Sequence, residues 1–218
     1  MLINKIIFYY LYTNIIYYFC SLFVFILDCV DKLINYKIQK TNYDTLVTTY
    51  NKSIPIVMLN TFIFLVPVYV IGALYECNYE GDYVMKKSFT DLLLGFLLTD
   101  IFFYLLHRMF HLDIFYRYHK KHHEIIAPIG VSALYMSPID LYFGNILPVM
   151  LPIFILGFHP YTIYMWICVV IVNTICTAHS GFRWISDFHD YHHSMFTKNY
   201  GANVFMDRLF GTYFEVKN

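Results

Sequence analysis

Apolar positions in this chain fall in runs too long and too continuous for the faces of a soluble domain. From about Ile6 to Leu27 no charged side chain interrupts an aliphatic and aromatic stretch, long enough to cross ~30 Å of hydrocarbon as a helix. That length, one preceding lysine and the lack of a small-residue cleavage site predict a retained helix rather than a removed signal peptide. Asp28 to Ser53 is polar and reads as a solvated connector. Ile54 to Tyr75 is a second span with Pro55 near its start, where proline is tolerated. Glu76 to Lys87 is a polar turn, and Ser88 to Leu106 a third span. Leu112 to Ser137 sets Arg117, Lys120 and Lys121 among aromatic residues, as expected of a helix at a membrane surface. Asp140 to His179 is apolar but broken by Gly157 and Pro160, which predicts a hairpin of two short helices that leave one face and return to it. From Gly181 onward no further span is expected. The pattern predicts an all-α integral membrane protein with four to five embedded helices. It divides into N-terminal helices and connectors (1–87) and a second unit (88–218).

Composition agrees and removes alternatives. The 218 residues are 59% hydrophobic, 14% charged and carry no formal net charge, so nucleic-acid binding has no electrostatic footprint. Cys20, Cys29, Cys77, Cys168 and Cys176 have no metal-type spacing and read as small buried hydrophobes, with neither a disulfide framework nor a zinc site expected. Asn51-Lys-Ser53 matches a glycosylation sequon, a motif that matters only in a lumenal loop.

Chemistry concentrates between His107 and His193, a stretch that holds all 10 histidines. His107 and His111 are spaced i, i+4. His119, His122 and His123 form one H-x-x-H-H box, and His189, His192 and His193 form another, with His179 alone between them. On helices this spacing stacks imidazoles on one face. Nine such ligands, with His159 set aside at the hairpin tip, exceed the four of a structural zinc site. They suit two ions with coordination positions left open for a reactant. The carboxylates of this stretch are Asp113, Glu124, Asp140, Asp187 and Asp190, and none forms the Glu-x-x-His pair of soluble di-iron bundles. Asp190 is expected to orient a histidine. Asp100 lies deep in the third span, seven residues before His107 and on nearly the same face. It serves either the histidine site or a hydrogen bond to a neighbouring helix.

Basic residues set the expected orientation. Arg108, Arg117, Lys120, Lys121, Arg183, Lys198, Arg208 and Lys217 gather on the histidine side, against Lys5, Lys86 and Lys87 opposite. The histidine cap should therefore face the cytosol. No nucleophile–base pair for hydrolysis and no Gly-rich phosphate loop is present. A metal transporter should carry ligands midway along its spans, where only Asp100 lies.

The order HxxxH, HxxHH, His179-Ser-Gly181, HxxHH resembles the membrane-bound fatty acid hydroxylase/sterol desaturase superfamily. Further matches are Asp100, the run His123-Glu-Ile-Ile-Ala-Pro-Ile-Gly-Val-Ser-Ala-Leu-Tyr135, Phe188-His-Asp-Tyr-His-His193, Asn199-Tyr-Gly201 and Asp207-Arg-Leu-Phe-Gly-Thr212. The likeness covers roughly residues 90 to 215, and the Ala127-to-Tyr135 segment is most similar to C4-methylsterol oxidases and fatty acid hydroxylase domain-containing proteins. It implies two non-haem iron ions, O2 as oxidant, and electrons from NAD(P)H through cytochrome b5 or its reductase. It also implies an endoplasmic reticulum membrane and a sterol or fatty-acyl lipid oxidised as in a C4-methylsterol oxidase, with fatty-acyl hydroxylation or sterol C5-desaturation as alternatives and a metal-binding scaffold as the non-enzyme one. Two features depart from the pattern. Ser137-Pro138-Ile139-Asp140 stands where relatives carry His-Pro before an acidic residue, and the segment between His179 and His189 is short and lacks its customary prolines.

Overall fold

The computed structural model describes residues 1–184 and 188–214. Asp187 and Lys217, named above, lie outside the described residues. The chain is helical, and among the described residues strand pairing is limited to a single antiparallel bridge between Lys37 and Phe182.

Four helices are long and apolar enough to cross a membrane: α1 (Leu2–Asp28), α2 (Tyr43–Cys77), α3 (Met85–Phe110) and, after the two shorter helices α4 (Asp113–His119) and α5 (Asp140–Leu156), α6 (Pro160–Ala178). Two short cap helices follow, α7 (Phe188–Met195) and α8 (Val204–Leu209). Only 22–28% of the most apolar window of each long helix is buried within the protein. The outward faces carry Ile7, Leu11, Ile15, Phe19, Leu22 and Ile26 on α1 alone, each more than a third exposed. An apolar surface of that extent is stable against lipid and not against water.

The polar connector is shorter than its composition implies. Asn42 caps α2, its side-chain oxygen accepting from Thr45 N at 2.8 Å, so Asp44, Thr48 and Thr49 form the first turns of a helix that stands above its apolar part. Pro55 therefore lies inside a helix rather than at its start, followed by a π-helical turn at Asn60–Phe64. The sequon falls in the same helix, with Ser53 fully buried. Hydropathy reports the depth of the apolar layer, not the length of the helix that crosses it. The rest of the connector is largely exposed, as expected, except at one buried ion pair. Lys37 and Asp28 pair at 2.5 Å with side chains 3% and 2% exposed. Of the cysteines only Cys20 is buried, and Cys29 is exposed.

The stretch 112–137 is not one surface helix. α4 ends at His119, a 3-10 turn covers His122–Glu124, and a second, Gly130–Leu134, is buried throughout. Gly130 permits this: a Cβ there would come within 2.9 Å of Val24 and 3.0 Å of Ile175. The buried backbone is satisfied from outside the segment, as such a turn requires. Tyr17 Oη donates to the Val131 carbonyl at 2.8 Å, and Asn60 Nδ2 donates to the carbonyls of Leu134 and Met136 at 2.8 and 3.1 Å. The hairpin forms as its breaks predict, with Gly157 left-handed at the end of α5 and His159 capping α6.

Candidate metal centre

α3 runs through His107 to Phe110, so the first histidine pair projects from the last turn of a long rigid helix. The nine histidines from five segments converge into two groups, His107/His111/His119/His123/His192 and His122/His179/His189/His193. Within each group one ring nitrogen per residue lies within 4.8 Å of all the others. His159 stays at the hairpin tip among Tyr79, Tyr83 and Tyr161.

The i, i+3, i+4 boxes do not each face one point. Residues four apart share a group: His107 with His111, His119 with His123, and His189 with His193. The i+3 member of each H-x-x-H-H box, His122 or His192, joins the other group. Consecutive residues diverge by about 100° around a helix, so each His-His pair feeds both groups and holds them adjacent. The His123 and His193 rings are 5.0 Å apart.

Hydrogen bonds fix which nitrogen faces inward. His107 Nδ1 lies 2.7 Å from the Tyr200 carbonyl, His119 Nδ1 2.8 Å from Asp140 Oδ2 and His192 Nδ1 2.7 Å from the Lys198 carbonyl. His179 Nδ1 lies 2.8 Å from the Thr174 carbonyl and His122 Nδ1 3.4 Å from that of Tyr135. A neutral imidazole that donates from Nδ1 carries a bare lone pair on Nε2. Yet His107 Nε2 sits 3.0 Å from His119 Nε2, and His122 Nε2 3.5 Å from His179 Nε2. His192 Nε2 lies 3.0 Å from His111 Nε2 and 3.1 Å from His123 Nε2. In the His107–His119 and His122–His179 pairs, where both rings donate from Nδ1, lone pair faces lone pair and repels unless a cation lies between them. Nitrogens each ~2.1 Å from a common ion, at right angles, would be about 3.0 Å apart. His193, 1% exposed, has no hydrogen bond at either ring nitrogen. These residues fit metal.

The protonation states agree. Burial pushes His111, His119 and His122 down to about 3, with the neighbouring imidazoles adding to the effect at His111 and His122, and pushes His179 to about 4. His123, His189, His192 and His193 are held well below the ordinary range by burial and by one another. All are neutral near pH 7, the form that binds metal.

The supporting carboxylates act differently from the sequence expectation. Asp140, read only as one of a few carboxylates, orients His119. It enters the apolar hairpin at 1% exposure, and a Cβ at Gly144 would lie 2.3 Å from its Oδ1. A lone acid in an apolar run was its available signal. Asp100 takes the second of its two readings: Oδ1 accepts from Asn203 N at 2.7 Å and Oδ2 from Met206 N at 2.9 Å, holding the start of α8. Asp207 then binds Tyr200 N at 3.0 Å and Gly201 N at 2.7 Å, placing the carbonyl that meets His107. Asp190 Oδ2 accepts from Gly181 N at 3.2 Å, steadying the loop just after His179. Glu124 is exposed and pairs with Lys52 at 2.8 Å, and Asp113 is exposed.

An open cavity of about 740 Å³ reaches the centre between α3, α5 and α6, lined by His107, His119, His122, His179 and His189 on one side and by Phe96, Phe103 and Trp166 on the other. Ligands, cavity and apolar approach thus lie at one end of a membrane-embedded bundle.

Residues 92–212 match the family model described as fatty acid hydroxylase. The chain is 42% identical over 120 residues to human fatty acid hydroxylase domain-containing protein 2, an alignment spanning 53% of this chain and 36% of that protein. It is 28% identical over 217 residues to a putative methylsterol monooxygenase of Dictyostelium discoideum, covering 91% of this chain and 80% of that one. With a fatty acid hydroxylase of Mycosarcoma maydis the identity is 32% over 195 residues, 83% of this chain and 49% of that protein. The chain spans about a third of the human relative's length. No solved structure matches it. The match over more than half the chain, on the segments that carry every clustered histidine, places the protein in the fatty acid hydroxylase family.

Proposed function

We propose that this chain is an O2-dependent membrane oxidoreductase in which the two histidine groups hold two iron ions. His107, His111, His119, His123 and His192 would bind one, and His122, His179, His189 and His193 the other. Residues 88–218 form the catalytic unit and 1–87 its membrane scaffold. The supporting observation is the set of inward Nε2 lone pairs, spaced as ligands of common ions and locked by outward Nδ1 bonds. Bound iron would supply the reduction of O2 and the cleavage of an unactivated C–H bond. Overall, one C–H bond, O2, two electrons and two protons give an alcohol and water. The electrons come from NAD(P)H through a cytochrome b5 or its reductase.

The chain's own residues position and shield. Asp140 and the carbonyls of Tyr200, Lys198 and Thr174 hold the Nδ1 protons outward and so fix each ring's angle. Phe96, Phe103 and Trp166 line the approach with apolar surface that keeps water from the reacting carbon. The basic residues of the cap support a cytosolic orientation, and the family's lipid-oxidising relatives support an endoplasmic reticulum setting. The Ala127-to-Tyr135 segment and the methylsterol monooxygenase relative favour a C4-methyl group of a sterol precursor. The acyl hydroxylase relative keeps a fatty-acyl chain as the second reading. The test supplies microsomes containing the protein with O2, NADH and either 4,4-dimethylsterols or long-chain acyl lipids. Oxidised product above a His192→Ala control is expected, and its absence with two irons bound would overturn the oxidase reading.

A further inference from the structure

A second cavity, of about 1020 Å³, lies behind one wall of the histidine-lined cavity. Asn145, Val149, Trp166, Val170 and Thr174 line both, and Thr174 is the residue whose carbonyl meets His179 Nδ1. The second cavity is apolar. Much of its wall comes from α1 and α2, outside the family match, through Tyr17, Leu65 and Tyr69. It descends along α1 and α6, which run side by side: Tyr12 Oη donates to the Tyr164 carbonyl at 2.9 Å, and Val24 faces Ile175 across Gly130.

Two polar atoms in this wall lack a partner, Tyr9 Oη and Asn14 Oδ1, and only the second is confined to accepting. Asn14 is 7% exposed, sits midway along α1 and lines the cavity. Its Nδ2 donates to the Tyr10 carbonyl at 2.8 Å and to Tyr69 Oη at 3.3 Å, while Tyr69 Oη donates onward to the Thr61 carbonyl at 3.2 Å. The Tyr10 carbonyl can only accept, so the amide cannot be turned round. Asn14 Oδ1 is thereby fixed as a buried acceptor without a donor. Buried polar atoms in folded proteins are otherwise paired. On the register set by the Tyr12–Tyr164 and Val24–Ile175 contacts, Asn14 lies level with Trp166, eight residues or ~12 Å below Thr174, the end of the shared wall nearest the histidines.

We infer that this chamber binds the body of the lipid substrate and that Asn14 Oδ1 accepts a hydrogen bond from a hydroxyl at the lipid's far end. The inference rests on the histidine cavity being the reaction site, and it sets the fatty-chain reading above the C4-methylsterol one. The ligand is a long-chain lipid alcohol that enters hydroxyl-first, presenting to the histidines a carbon remote from its hydroxyl. A 4-methylsterol has the opposite polarity. Its hydroxyl adjoins the carbon to be oxidised, and its hydrocarbon end would meet Asn14.

Binding of octadecan-1-ol and of octadecane to the purified protein tests this, followed by Trp166 fluorescence in a Trp184→Phe background. The alcohol should bind about tenfold more tightly than the alkane, the worth of one buried hydrogen bond. Asn14→Leu should erase that preference while the alkane still binds. Val170→Phe, which narrows the shared wall without touching Asn14, should weaken both and serves if Asn14→Leu does not fold. Equal binding of alcohol and alkane, or a preference that survives in Asn14→Leu, would mean that water satisfies Asn14 and would overturn the assignment. So would a 4-methylsterol that outcompetes the alcohol regardless of residue 14. The measurement needs neither iron nor reductant, so failed turnover would sink the oxidase reading and leave this one standing, and the converse also holds.

Discussion

The two histidine groups are built from the same boxes but braced differently. In the five-histidine group three Nε2 pairs lie within 3.1 Å, and three of its rings are locked by bonds of 2.7–2.8 Å from Nδ1. Three of its ligands ride on α3 and α4, which are short-range neighbours in the chain. The four-histidine group is looser: its one close Nε2 pair is at 3.5 Å, His122 Nδ1 has a long 3.4 Å bond, and His193 has none. Beyond the 2.8 Å bond of His179 Nδ1 to the Thr174 carbonyl, what steadies it comes from far away in sequence. Residues 36–39 strap the His179 loop through Ile38 N to the Gly181 carbonyl at 2.9 Å and Lys37 Nζ to the Ser180 carbonyl at 2.7 Å. Gln39 Nε2 reaches the Asp190 carbonyl on α7 at 2.7 Å. One group is held by more and shorter ring bonds, while the other adds a clamp from the N-terminal connector.

The most drastic way to break the comparison is to remove the ring at the heart of the five-histidine group. His192→Ala takes away the ring that touches His111 and His123. It should abolish turnover and lower metal content by elemental analysis; retained activity would refute its place in the set. Next in size is Lys37→Met. It leaves Asp28 buried without its partner, which should cost about 3–5 kcal/mol of stability by chemical denaturation. If the clamp serves one group in particular, metal should fall from two ions per chain towards one, with the five-histidine group retained. Asp140→Asn is the mirror test on the better-braced side. It keeps the shape but weakens the partner of His119 Nδ1, and metal affinity should drop about 10–100-fold, measured by chelator competition. In the unmodified protein the same competition should release metal in two steps, the four-histidine group first. The smallest effect expected is that of His159→Ala, which should change neither metal content nor turnover, because that ring caps α6 at the other end of the bundle.

Much of this protein was legible one residue at a time. Lipid tolerates only long apolar helices, so span number and the Gly157 break follow from composition along the chain. The i, i+4 spacing of His107/His111 and His189/His193 follows from 3.6 residues per turn, so those pairs could be read as shared ligands without coordinates. The division of labour inside each H-x-x-H-H box could not, because it depends on where three other segments stand when the helix is packed. The burial of 129–136 was equally hidden. The segment is itself apolar, but the charged residues before it set the whole stretch at a surface, and only the donors from Tyr17 and Asn60, far away in sequence, make the interior habitable for its backbone. Lys37 looked like a solvated charge for the same reason: a buried ion is tolerable only beside its counter-ion, and Asp28 and Ser180 reach it only in the folded chain. The sequence by itself determined membrane residence and the inventory of clustered histidines, since both rest on local periodicity and side-chain chemistry. The tertiary structure decided the five-plus-four grouping, the roles of Asp100 and Asp140 and the chamber that holds Asn14, because each depends on atoms that meet only when distant helices pack.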